Sequence, residues 1–263
     1  MKKNTLLSIM NFVILLAMLV VNYLANALPI NNQTTGKISD RFEVLFKPAG
    51  YAFSIWGLIY LGLLVFGIFQ LLPKQNNSSV VKKIGLFFIL SCFANIIWLF
   101  DWHYELYAFS VIVMLMLLFS LIKIYLNLEI GIAKVSLKEK WLVHQPFSLY
   151  LGWISVATIV NITVYLHWLN WDGFGLSPVF WFILFSIVGL ALSFYFALAR
   201  RDYLFNLVIL WAYSAIAVHN ANVSVVKTIS RITSGLAVLP VIISISLLTI
   251  SHQKKPDKKN SYN

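Results

Sequence analysis

Eight stretches of this chain hold almost no acidic or basic residue in their cores: roughly 5 to 28, 50 to 72, 84 to 100, 106 to 128, 146 to 167, 178 to 199, 203 to 221 and 232 to 250. Each is close to the ~20 residues with which a helix crosses a hydrocarbon layer about 30 Å thick. The runs are continuous and do not alternate every second residue, which selects helices over a β-barrel. Only 11% of the residues are charged and the mean hydropathy is +0.83, against about 25% charged in a soluble domain. A water-soluble globule is excluded. The expected fold class is all-α, a polytopic integral membrane bundle of about eight transmembrane helices. Lys123 is the one basic residue within a stretch, near enough to its end to reach the headgroups.

The net charge of +11 is scattered between apolar runs and not massed on one face, so it reads as topology and not as nucleic-acid binding. With the N-terminus in the cytoplasm, Lys2, Lys3, Lys74, Lys82, Lys83, Lys123, Lys134, Lys138, Lys140, Arg200, Arg201, Lys254, Lys255, Lys258 and Lys259 fall on that side, 15 of 20 basic residues. Lys37, Arg41, Lys47, Lys227 and Arg231 fall outside, the last two in the final outer loop. This bias predicts a multi-pass cell-membrane protein with both termini cytoplasmic. The basic tail 254–263 is expected to rest on anionic lipid. Lys2, Lys3 and the triplet Ala25-Asn26-Ala27 also resemble a cleavable signal peptide, but the apolar run is longer than a signal core, which favours a retained span. Cys92 is the only cysteine, so no intrachain disulfide forms and a packing role is expected.

The longest connector, about 29 to 49, holds Pro29, Asn31, Asn32, Thr34, Thr35 and Gly36, which are expected to keep it out of helix. It reads as a cap over an interhelical cavity or as a plain connector. Trp102, Tyr104, Trp141, Trp168 and Trp171 lie at span ends, where rings anchor at headgroup level. Trp56, Trp98, Trp153, Trp181 and Trp211 lie inside spans, where each indole N–H needs a partner in the bundle or on a ligand.

Three segments carry a more specific pattern: KPAGYAFSIWGLIYLG at 47–62, ANIIWLFDW at 94–102 and QPFSLYLGWISVATIVNITVYL at 145–166. They resemble the TspO/MBR family, the tryptophan-rich sensory or translocator-like proteins, over about 165 residues. Members have five helices with a Lys-Pro before helix two, a Trp four residues before a Tyr, an Asn and Trp in helix three, and a Pro-aromatic, Trp, Ala, Asn progression along helix five. Here those are Lys47 and Pro48, Trp56 and Tyr60, Asn95 and Trp98, then Pro146, Phe147, Trp153, Ala157 and Asn161. The chain departs from the family's Trp-x-Pro-Pro element, having Pro48 followed by Ala49, Gly50 and Tyr51, and it adds three spans. The resemblance therefore implies a five-helix domain over 1–167, three further helices over 168–253 and the tail.

It also implies a site of Pro48, Tyr51, Trp56, Tyr60, Asn95, Trp98, Pro146, Trp153, Ala157 and Asn161, binding a hydrophobic planar molecule such as a porphyrin or other tetrapyrrole, in a sensory or transport-regulating role. The residues alone leave two readings. Trp153, Ala157 and Asn161 recur every four positions and share one helix face. That face suits a flat apolar ligand, and equally a close helix contact bonded through the Asn. Asn95 and Trp98 pose the same choice.

No span core holds an acidic residue, which disfavours ion-coupled transport. Asp101, His103 and Glu105 do not share a helical face, so no metal site is expected. No catalytic motif is present; an enzyme is not expected, apart from weak light-dependent porphyrin breakdown described for some members of the resembled family. Expected partners are the bilayer and a hydrophobic small molecule, with a homodimer as an open option and no nucleic acid. The competing reading is a permease or the membrane subunit of a transporter.

Overall fold

Continuous apolar composition folds as helix from end to end, because a backbone without water must satisfy its own hydrogen bonds. The computed structural model describes residues 3–28, 30–75 and 78–253. Lys2, Pro29 and the tail 254–263 with its four lysines lie outside the described residues. In chain order the helices are α1 (Lys3–Ala27), α2 (Thr35–Asp40), α3 (Ile55–Leu71), α4 (Ser79–Ile84), α5 (Phe87–His103), α6 (Tyr107–Asn127), α7 (Leu137–Glu139), α8 (Gln145–Trp168), α9 (Pro178–Tyr195), α10 (Tyr203–His219), α11 (Ser224–Leu236) and α12 (Val238–Gln253). No strand occurs among the described residues.

Six helical segments are long and apolar enough to cross a membrane: Asn4–Ala27, Gly50–Leu71, Tyr107–Asn127, Leu137–Trp168, Pro178–Arg200 and Ser224–Ile250. The other two expected spans are α5 and α10, apolar helices of 17 residues each, about 26 Å long. Large apolar side chains such as Leu58, Leu61, Phe109, Ile112 and Ile187 project outward with more than half of their surface exposed. That surface is intolerable in water and natural against lipid.

Backbone irregularities have local causes. Pro146 lacks an N–H and crowds the preceding turn, and the chain absorbs this with a π-turn at Lys140–His144 that joins α7 to α8 as one rod. Gly85, at φ 56°, separates α4 from α5. A second π-turn, Phe196–Arg200, prolongs α9 until Arg201 turns left-handed at φ 54°. Asp202 then caps α10, accepting from Phe205 N at 3.2 Å.

Two expectations are corrected. The residues Thr34–Gly36 start a helix: the Thr34 side chain accepts from Lys37 N at 3.4 Å and caps α2. The final crossing begins at Ser224, so Lys227 and Arg231 ride on α11 and not on a loop. Pro240 cannot donate to the preceding turn, which accounts for the break between α11 and α12.

The bundle is ordered around α8, which packs on α3, α6 and α10, while α1 packs on α3 and α5, and α10 on α9, α11 and α12. The most apolar stretch of segment Leu137–Trp168 is 56% buried, against 28–39% for those of the other five spans, which places it at the centre. One core joins the first five long helices to the last three, with Phe46 against Phe182 and Tyr213. The α1 helix buries Leu15, Met18 and Ala25 completely.

The ends of the bundle differ in charge. At one end, Lys83 lies 3.8 Å from Glu129, Asn127 donates to Lys83 O, and Gly131 abuts the Arg200 carbonyl. We call this the basic end, since Lys82, Lys134, Lys138, Lys140 and Arg201 lie there too. The other end is roofed by residues 30–54, held by Asn31 to His103 O and by Arg41 to Glu105 at 2.9 Å.

Candidate functional site

Beneath the roof, four tryptophans from three helices converge: Trp56 of α3, Trp98 and Trp102 of α5, and Trp153 of α8. Trp98 stacks on Trp102 at 5.7 Å and 25°, and Trp56 stacks on Tyr60 at 5.1 Å and 24°. Trp153 stands edge-on to both Trp56 and Phe53, at 6.3 and 5.9 Å. Thr35 and Ser39 of α2, with Pro48 and Phe53, close the top, and Val156, Ala157, Val160 and Asn161 form the floor. The enclosed void is about 30 Å³, room for roughly one water molecule.

The helical stripe read from the sequence falls on one face of α8: Trp153, Ala157 and Asn161 all line this void, joined by Pro48, Trp56 and Trp98. The other four expected site residues stand elsewhere. Tyr60 donates to Asn22 Oδ1 at 2.6 Å, Asn22 Nδ2 donates to Asn95 Oδ1 at 2.7 Å, and Asn95 Nδ2 donates to Tyr150 Oη at 3.1 Å. This relay stitches α3, α1, α5 and α8 together within the bundle. Pro146 abuts Gly62 at the middle of α3, and Tyr51 is exposed, edge-on to Trp211 at 5.4 Å.

Both polar atoms of the Asn161 side chain are bonded within the bundle. Its Oδ1 accepts from Trp98 Nε1 at 3.0 Å and its Nδ2 donates to Ser110 Oγ at 2.9 Å, joining α5, α8 and α6. Two other buried polar atoms on the lining have no hydrogen-bond partner: Trp153 Nε1 and Ser39 Oγ. An unmet donor in a low-dielectric interior costs about 1–3 kcal/mol, so these two groups are where a guest gains most.

Sequence reasoning missed Ser39, Thr35 and Trp102. Trp102 reads as a headgroup anchor but is buried, because its indole donates to Thr35 O at 3.2 Å and its ring is covered by the roof. Trp181 and Trp211 need no ligand, donating to Gly173 O and Ala52 O at 3.0 and 3.1 Å. Asn22 was detectable, being an amide in a span where polar groups are costly.

The roof is clipped by Lys47, whose buried ammonium donates to Ser39 O and Phe42 O at 2.9 Å each and lies 3.8 Å from Asp40. Burial pulls its pKa below the ordinary lysine value, opposed by the Asp40 and Glu43 charges. The C-terminal helices hold the roof as well: Ala49 N donates to Ala215 O at 3.1 Å and Asn220 Nδ2 to Leu45 O at 2.9 Å. Charge-assisted bonds are worth about 1.5–3 kcal/mol each. Lys47→Ala is therefore expected to speed amide exchange across residues 39–49 by about tenfold or more, read by hydrogen–deuterium exchange; unchanged protection there excludes the clip.

A family model described as TSPO-like protein matches residues 8–246, a range that includes α9 to α11 and most of α12. No curated protein and no solved structure matches the chain at a significant level.

Proposed function

The chain belongs to the TSPO-like protein family, and from that premise we propose that it binds a flat hydrophobic molecule of the porphyrin or tetrapyrrole kind under the 30–54 roof, in a sensory or transport-regulating role. The observation that carries this reading is the pair of unpaired polar atoms, Trp153 Nε1 and Ser39 Oγ, on residues that line a void walled by four indoles. Aromatic walls stack on a planar guest, and the indole N–H and hydroxyl bond its polar edge.

Size decides how such a guest enters. Pockets for ligands of that class span about 300–1,000 Å³, about tenfold or more above the 30 Å³ enclosed here. Binding is therefore coupled to lifting of the roof, and Lys47 and the bonds to α10 set its resting position. The proposed role is binding without turnover, since an indole and a hydroxyl are poor bases. We further infer that the basic end faces the cytoplasm and the roof faces outward, following the bias in lysine and arginine.

Titration of the purified protein with protoporphyrin IX is expected to quench tryptophan emission saturably. Trp153→Phe removes the unpaired N–H and keeps the ring, and Ser39→Ala removes the hydroxyl. Each is expected to weaken binding about 5- to 30-fold, from one hydrogen bond of about 1–2 kcal/mol. Non-saturable quenching, or parental affinity in both variants, discards the site.

A further inference from the structure

More capacious than the tryptophan cavity is a cleft of about 280 Å³ between segment 43–46, the last turns of α8 and the start of α9. Its wall is a run of aromatic rings. Trp171 and Trp181 lie 4.8 Å apart, Trp181 and Phe185 6.0 Å, and Phe185 and Phe46 6.1 Å. The volume is close to the lower bound for small-molecule sites, about 300 Å³. No lysine or arginine lines it, whereas two carboxylates, Glu43 and Asp172, do. The chain has only nine acidic residues against twenty basic ones, so this concentration runs against the charge of the whole molecule. Among the described residues neither carboxylate forms an ion pair, and Asp172 accepts from Phe174 N at 3.0 Å.

We propose that this cleft binds an organic cation, a quaternary or tertiary ammonium with an apolar body. An ammonium within about 6 Å of several ring faces gains from their quadrupoles, the more so where water is displaced. The carboxylates add the long-range attraction that a neutral aromatic ligand would not need. A phosphate or carboxylate ligand is repelled by the same pair. The ring wall requires Trp181 and Phe185 of α9, so the helices beyond the five-helix pattern complete this site. The cation arrives either on a soluble molecule or as the headgroup of a choline lipid, because Trp171 sits where headgroups lie.

The test uses the full chain in nanodiscs of phosphatidylglycerol, with saturation-transfer NMR following choline and its neutral isostere 3,3-dimethylbutan-1-ol. Choline is expected to bind at least about tenfold more tightly than the alcohol. Glu43→Gln and Asp172→Asn, which preserve shape and the Phe174 cap, are each expected to weaken choline several-fold, and Asp172→Asn, which lies outside the roof, is expected to leave protoporphyrin quenching unchanged. Loss of choline affinity in phosphatidylcholine nanodiscs identifies the lipid headgroup as occupant, and retained affinity identifies a soluble cation. Equal binding of choline and the alcohol, or choline binding indifferent to both carboxylate variants, overturns the proposal. The tetrapyrrole reading fails separately, through Trp153→Phe and Ser39→Ala.

Discussion

Asp202→Ala is expected to destabilise the bundle by about 3 kcal/mol, lowering the melting temperature in detergent by about 6–12 °C. The carboxylate sits at the junction of three helices. Ser148 Oγ of α8 donates to both of its oxygens at 2.7 Å, Tyr125 Oη of α6 donates at 2.8 Å, and Phe205 N opens α10 upon it at 3.2 Å. Truncation strips a helix cap, worth about 1 kcal/mol, and leaves two buried hydroxyls to find new acceptors at about 1 kcal/mol each. Asp202→Asn keeps an acceptor and an amide in place and is expected to lose less than half as much. A melting temperature for Asp202→Ala within 2 °C of the parent, roughly 1 kcal/mol or less, contradicts this account.

The same residue predicts a pH dependence. Burial raises the Asp202 carboxyl above its ordinary value near 3.8, although its hydroxyl and amide donors pull the other way. Between the ordinary and the raised value the folded chain holds more protons than the unfolded one. Stability therefore rises as pH falls through that window and declines as pH climbs back. Asp202→Asn is expected to flatten this slope, as followed by melting temperature in buffers across the acid range.

Gly131→Ala is the second large effect, expected at about 2–5 kcal/mol. Gly131 adopts φ 83°, and an added methyl would be driven into the carbonyl oxygen of Arg200. Left-handed backbone costs an L-residue about 1–2 kcal/mol, and the obstacle is main chain, which cannot swing aside, adding about 1–3 kcal/mol of overpacking. The control is Gly36→Ala in α2, where no atom lies within 4 Å of the new carbon. There a helical Gly→Ala exchange is expected to gain a few tenths to about 1 kcal/mol. Equal melting temperatures for the two variants would refute the argument.

The helices were legible because hydropathy reports contact with lipid, and the stripe Trp153, Ala157, Asn161 was legible because a four-residue spacing can only fall on one face of a helix. Partners were not legible. Asn161 reads as a ligand donor, yet its amide is consumed by Trp98 and Ser110, helices separated from it by dozens of residues in sequence. Trp102 sits where an anchor would sit, and only the folded roof over it makes it a wall. Thr34 carried a readable signal, since a threonine before a short run is a natural cap, but its neighbours Asn31 and Asn32, both left-handed at φ 52° and 60°, are turn residues that dominate the local pattern. The break before Pro240 follows from the missing N–H; the amphipathic continuation back to Ser224 does not follow from hydropathy, which is diluted there by Lys227 and Arg231.

The ties between roof and α10 have a selective consequence. Lifting the cover breaks the bonds from Ala49 to Ala215, from Trp211 to Ala52 and from Asn220 to Leu45. At about 1 kcal/mol net apiece, these three ties alone lower the population of the receptive form about a hundredfold, and every apparent affinity is weakened by at least that factor. On the binding proposed above, weakly adhering hydrophobes of the bilayer, present in vast excess, would fall below this threshold, while a large rigid aromatic disc would clear it.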